Sequence, residues 1–286
     1  DPLLVLEFHR QFTHSLLFIP FGALLCASVF YLLLARPWQL GFKSIYLWSL
    51  LGFATHGLLD GCTSYGTLLL WPITDHRFSW DIISVIDPLF TLPLLALIVL
   101  AAKLKSRRFL WGAMVWGTLY LSIAIVQHER ALDMGRQLAQ ERGHQPLRLE
   151  AKPSFANLAV WKLMYETEQR FYIDAVKPGV FEEQIWEGSS IDKINLANDF
   201  PWLDHDSQQA MDIQRFSHFS SGYLGLDPQD AMSIVDVRYS HLPHQIKPLW
   251  GIQLSKTEDN AQHANFFTRR EPRMDSFKKL MAMLFE

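Results

Sequence analysis

Apolar residues crowd the first 127 positions in four long runs, after which the pattern changes to short alternations. Ser15 to Ala35 is nearly uninterrupted and stops at Arg36-Pro37. Ile45 to Leu70 is long enough but contains His56, Asp60 and several glycines, and Ile82 to Ala102 contains Asp87-Pro88. Phe109 to Val126 is closed by Gln127-His128-Glu129-Arg130. A bilayer core takes about 20 mostly apolar residues in helical form, so the pattern predicts four transmembrane helices. Trp38, Trp48, Trp71, Trp80 and Trp111 fall near the ends of these runs, where amphipathic rings favour the interface. A buried soluble core would also be apolar, but four such runs in close succession favour membrane spans.

The second half reads differently. HERALDMGRQLAQERG is a charged helical connector ended by Gly143. NLAVWKLMYE and QRFYIDAV alternate about a short polar turn and predict a hairpin. AMSIVDVRYS and PLWGIQLS are further strands; QQAMDIQRFSHFSSGYLG and DSFKKLMAMLF have a helical period. Asp236 and Arg238 suit an ion pair internal to a strand better than a site. The expected architecture is a membrane α-helical bundle of four spans over residues 1–127, a helical connector over 128–150, and a small α+β soluble domain over 151–286. The chain opens on Asp1-Pro2-Leu3-Leu4, neither a charged leader nor a signal core, which predicts that its natural beginning is missing.

Composition narrows the function. A net charge of −3 points to neither nucleic acid nor an acidic partner, and no nucleic acid is expected. Cys26 and Cys62 both lie in apolar runs and read as small hydrophobes, not as a disulfide or a zinc site. The chain has no Gly-rich phosphate loop, no G-x-S-x-G elbow and no CxxC. The membrane bilayer is the expected partner.

Ionisable residues inside apolar runs cost several kcal/mol in hydrocarbon, about 2.5–3.5 on the insertion scale, so they mark cavities and function. His56 and Asp60 are four apart and share one helix face, offering an imidazole nitrogen and a carboxylate oxygen to one cation. His14 opens the first run with Thr13 as its N-cap, and Asp87 lies about a turn into the third. His9 reaches the same point if the chain folds back before Thr13. Taken singly, each has a plain structural reading: a packing histidine, or a helix start at Asp87-Pro88. Together His9, His14, His56, Asp60 and Asp87 are the donor set of a hydrolytic metal centre. In an up-down-up-down bundle His14, His56, Asp60 and Asp87 fall at one depth. The cationic loops, Arg36 with Lys43 and Lys103, Lys105, Arg107 with Arg108, are cytoplasmic by the positive-inside rule. That places the metal site and the C-terminal domain in the periplasm, although Arg130, Arg136 and Arg142 weaken the bias.

The stretch HRQFTHS resembles the H-R-x-x-T-H-S motif of the YdjM-like family, membrane-bound, metal-dependent hydrolases of bacterial inner membranes. HGLLDGCTSYGTLLLWP is similar to that family's H-x-x-x-D segment with its trailing Tyr-Gly and Trp-Pro, and IDPLF to its Asp-Pro. KPSFANLAVWKLMYE and IVDVRYS extend the likeness into the second half. The resemblance implies His9, His14, His56, Asp60 and Asp87 as metal-site residues and Arg10 as the group that meets an anionic substrate. It also implies a preceding apolar segment ending in Pro-Asp-x-Asp, with one or two further carboxylates. The H-x-x-x-D element more weakly resembles the zinc-dependent phospholipase C group. The expected function is a multi-pass hydrolase of the inner membrane. It would use a divalent metal ion, zinc, to activate water against a phosphoester or lipid-like substrate, with Arg10 suited to grip phosphate. The alternative is a non-enzymatic metal-binding membrane protein, a transporter or sensor; ionisable residues at one depth favour a site over a path.

Overall fold

The computed structural model describes residues 1–179, 182–256, 259–269 and 273–285, with the backbone alone for 35–37 and 273. The chain divides into two compact units, Glu7–Val85 and a second made of Asp1–Leu6 with Ile86–Glu286. The division falls inside the short helix α1 (Leu4–Phe8).

In the unit Glu7–Val85, a 3₁₀ turn at Phe12–His14 precedes α2 (Ile19–Trp38), which packs along α3 (Phe42–Gly61). The backbone of α2 continues through Arg36-Pro37, the expected stop, to Trp38; the side chains there lie outside the described residues. The second apolar run does not stay helical to Leu70. It leaves the helix at Gly61 because other donors take the terminal carbonyls. Thr63 Oγ1 donates to Asp60 O at 2.8 Å, Trp80 N to Gly61 O at 2.8 Å and Ile82 N to Cys62 O at 2.8 Å. Residues 62–85 therefore fold back as an irregular lobe, held by a Thr67–Phe78 bridge and by Leu16 N to Leu69 O at 2.9 Å.

The other unit opens with α4 (Pro88–Leu104), not at Ile82. Asp87 has extended backbone, as a residue before proline prefers, and its side chain caps the helix by accepting from Phe90 N at 3.1 Å. Next, α5 (Arg107–Glu141) runs unbroken for 35 residues, about 52 Å at 1.5 Å per residue. Its first part is the fourth apolar run; its last turns pack on the strands that follow.

The expected four-span bundle is corrected here. Among the described residues α5 is the one helix long and apolar enough to cross a membrane alone. Leu4–His14 and Ile19–Leu34 pass only as a pair bent by 79°. At 17 residues α4 is apolar but short, about 25 Å against a hydrocarbon core of about 30 Å. Lys43, Ser44, Ser49, Thr55, His56 and Asp60 dilute α3. The apolar content is present, but polar capping and an Asp-Pro break cut it into shorter helices.

Beyond α5 the domain is larger and more β-rich than expected. Strands β1 (Arg148–Pro153), β2 (Trp161–Glu166), β3 (Arg170–Pro178) and β4 (Glu183–Asp192) form one antiparallel sheet. After α6 (Leu196–Asp199) and α7 (Gln208–Phe219), strands β5 (Leu224–Leu226), β6 (Ser233–Asp236), β7 (Trp250–Gln253) and β8 (Asn265–Thr268) form a second, and α8 (Arg273–Phe285) follows. The expected hairpin is β2–β3, with Trp161 opposite Val176. AMSIVDVRYS and PLWGIQLS supply β6 and β7. Ala131, Met134 and Leu138 of α5 pack on Ala151, Trp161, Leu163 and Val176. Contact is close enough that a Cβ at Gly135 would lie 2.4 Å from Leu163 Cδ1. A second cluster, Met164, Phe171, Ile173 and Ile191 with Tyr223, Val235 and Val237, joins the two sheets. Asp236 and Arg238 are the internal ion pair expected of them, 2.8 Å apart and almost fully buried.

Candidate metal centre

The unit Glu7–Val85 brings chemistry together at one point. On α3 the four-residue spacing stacks His56 above Asp60, and the 3₁₀ turn carries His14 against the same face. Asp60 Oδ2 lies 2.9 Å from His14 Nε2 and 3.8 Å from His56 Nε2. The two imidazoles are 4.4 Å apart between centroids. Among the described residues these three form one group whose donor atoms all lie within 4.8 Å of one another. His14 does not open α2, which begins at Ile19; it sits in its own turn, and Thr13 Oγ1 is 2.9 Å from its Nδ1.

Close backbone approach makes this possible. Gly57, between the two α3 donors, faces the His14 carbonyl, and a Cβ there would stand 2.7 Å from that oxygen. The strand-like return of residues 66–69 holds the turn from the other side, with Leu68 N donating to Arg10 O at 3.0 Å.

Arg10 backs the acid. Its Nε is 3.5 Å from Asp60 Oδ2, and its Nη1 donates to Thr63 Oγ1 at 2.7 Å. The side chain is 9% exposed, so its fork is largely committed to the protein, and Nη2 has no hydrogen-bond partner among the described residues. The ring of Tyr65 lies under the guanidinium at 5.3 Å and beside the His9 ring at 4.5 Å. His9 thus packs on Tyr65 with the rings tilted by 58° and stands outside the group of three. Asp87 belongs to the other unit, where Oδ1 caps α4 and Oδ2 accepts from Tyr120 Oη at 2.7 Å. Both its oxygens are engaged, and it too stands outside the group.

The donor set fits a small divalent cation. Zinc–ligand bonds near 2.0 Å imply ligand–ligand edges of about 3.3 Å in a tetrahedron, which the 2.9 and 3.8 Å separations bracket. A proton on His14 Nδ1, directed at Thr13 Oγ1, leaves Nε2 with its lone pair for a metal, the usual arrangement around a ligating imidazole. His56 is 51% exposed, so one side of the cluster is open, as three-ligand catalytic sites require. Thr63, Tyr65 and Gly57 complete the site unpredicted. Thr63 is three residues from Asp60, one helical turn on, the spacing that could have marked it.

Residues 1–131 match the family described as YdjM inner membrane protein, so the resemblance seen in the motifs is borne out over that part of the chain. A protein of Escherichia coli named inner membrane protein YbcI is 37% identical over 82 residues, 27% of this chain and 44% of that protein. An uncharacterized protein of Bacillus subtilis, YfhP, is 29% identical over 92 residues, 32% of this chain and 27% of that one. The chain thus spans less than half the length of these relatives. No solved structure matches it.

Proposed function

We propose that this chain, through residues 1–131 a member of the YdjM family of inner membrane proteins, is a metal-dependent hydrolase of a phosphoester. The observation that carries the reading is the convergence of His14, His56 and Asp60 within 4.8 Å. A divalent ion held there, zinc by the donor set, would supply Lewis acidity that activates water and polarises a phosphoryl oxygen. His14 and His56 contribute neutral nitrogens and Asp60 one negative charge, leaving net positive charge for an anionic substrate. Arg10 orients Asp60 through Nε and holds Thr63 through Nη1, which leaves Nη2 for at most a single charge-assisted hydrogen bond to substrate rather than a two-pronged grip. The cationic Lys103, Lys105, Arg107 and Arg108 at the junction of α4 and α5 argue for a periplasmic β domain.

The test is metal analysis of the purified full-length protein, then turnover of phosphomonoester and phosphodiester substrates with and without chelator. The proposal expects bound metal and chelator-sensitive turnover. Stoichiometric metal without turnover on any ester would instead mark a metal-binding transporter or sensor. Absence of metal would end both readings.

A further inference from the structure

The second unit holds a nucleophile and a base that the metal centre does not use. Lys162, second residue of β2, is 5% exposed. Among the described residues no carboxylate comes within ion-pair distance of its Nζ, which bonds Ser240 Oγ at 2.9 Å and Gln245 O at 3.4 Å. Ser240 lines a cavity of about 640 Å³ with His241, Phe155, Leu249, Leu280 and Ile86. That cavity is mostly apolar; with Ser240 its polar lining is Ser276 and His241, whose Nε2 is buried without a hydrogen-bond partner among the described residues. A buried amine behind a hydroxyl, opening on an apolar slot, is the arrangement of a serine nucleophile with a lysine base.

We propose that Ser240 and Lys162 form a dyad that cleaves a carboxylic acyl ester, with the cavity receiving the acyl chain. Burial disfavours the ammonium and pushes the Lys162 amine down to about 7; Asp236 pulls it up and Lys152 pushes it down further. Ser240 Oγ donates to Leu242 O at 2.7 Å, and a neutral Nζ competes for that same proton. In the reaction Oγ attacks the ester carbonyl carbon while its proton passes to Nζ. The bond to the alcohol breaks and Nζ returns the proton to the departing oxygen. Water then attacks the acyl–serine ester, its proton passing through Nζ to Oγ, and the free carboxylic acid leaves. His241, whose buried Nε2 has no other hydrogen-bond partner among the described residues, is the lining group that would donate to the carbonyl oxygen in its Nε2–H form. Ile86 immediately precedes the Asp87 cap of the apolar helix α4, which points to membrane lipid as the source of the ester.

The experiment is labelling of the detergent-solubilised full-length protein with a fluorophosphonate, the modified peptide being identified by mass spectrometry. Ser240 should be labelled whether or not chelator is present, which separates this centre from the metal site. Ser240→Ala should remove that adduct, and Lys162→Met should slow labelling about a hundredfold or more. The wild-type rate should rise through a midpoint near pH 7. The groups facing this pair are Asp236 of β6 and Lys152 of β1, with His244 and Lys279 of α8 beyond. No adduct at Ser240, or equal rates in Lys162→Met, would overturn the proposal. Should that variant misfold, a wild-type profile with no midpoint between about pH 6 and 8 overturns it.

Discussion

Gly57→Ala tests the metal centre without touching a ligand. The added Cβ would stand 2.7 Å from the His14 carbonyl oxygen, whereas carbon–oxygen contacts settle near 3.3 Å. The turn carrying His14 must therefore move by about 0.6 Å relative to His56 and Asp60. Metal sites tolerate about 0.2 Å in their bonds, so zinc affinity should fall tenfold or more, the scale seen when the supports of ligands are disturbed. Helix propensity works the other way, since alanine in place of glycine gains about 1 kcal/mol in a helix. Melting temperature is thus the wrong readout. The assay is zinc competition against a chelating dye, with Gly52→Ala as the control: it lies on the same helix and its Cβ meets nothing within 4 Å. If Gly57→Ala binds zinc as tightly as Gly52→Ala, the cluster is not the site or the turn is not pinned, and the reasoning fails.

Further outcomes follow from the same contacts. Asp60→Asn and His56→Ala should each lose most bound metal by elemental analysis while membrane insertion is retained; full occupancy would make these residues polar packing. Arg10→Lys should keep the metal but cut turnover at least tenfold, because one ammonium cannot hold both Asp60 and Thr63 as the guanidinium does; unchanged kinetics would remove Arg10 from the site. Asp87→Ala loses a helix cap and the Tyr120 hydrogen bond and should destabilise the α4–α5 pair by about 1–3 kcal/mol in denaturant melts, with Tyr120→Phe costing less. Lys162 has a folded-state pKa of about 7 against an ordinary 10.5. The unfolded chain therefore binds more protons between those values, and stability should rise with pH there, by at most about 1.4 kcal/mol per unit. Lys162→Met should flatten that slope in pH-dependent melts; an unchanged slope would show that the lysine is charged in the folded protein.

Local pattern was enough for whatever depends on neighbours along the chain. The pairing of His56 with Asp60 follows from four residues of helical spacing. The β2–β3 hairpin, the strands β6 and β7 and the helix α8 follow from period and turn chemistry, as does α7 up to Phe219; the helix expected to run on to Gly225 gives way there to a turn and β5. Asp236 ends β6 and Arg238 follows two residues on in the turn, and they pair as their closeness in sequence implies, though not along one strand as expected. Motif resemblance reached the membrane family but not the helix lengths, because hydrophobicity measures what residues prefer and not where a backbone is capped. Gly61 ends α3 through donors from Thr63, Trp80 and Ile82, of which the last two are supplied only when the chain folds back. Strands β1, β4, β5 and β8 pair with their neighbours in sequence, but β4 is largely exposed and β5 only three residues long, so they carry little alternation to read. The place of His14 beside Asp60 rests on 45 intervening residues turning at α2 and on a glycine that lets two backbones touch. The pairing of Lys162 with Ser240 spans 78 residues and has no trace in either local sequence. Such contacts arise from packing between elements, where each residue's environment is set by the others, and no window of sequence contains both sides of them.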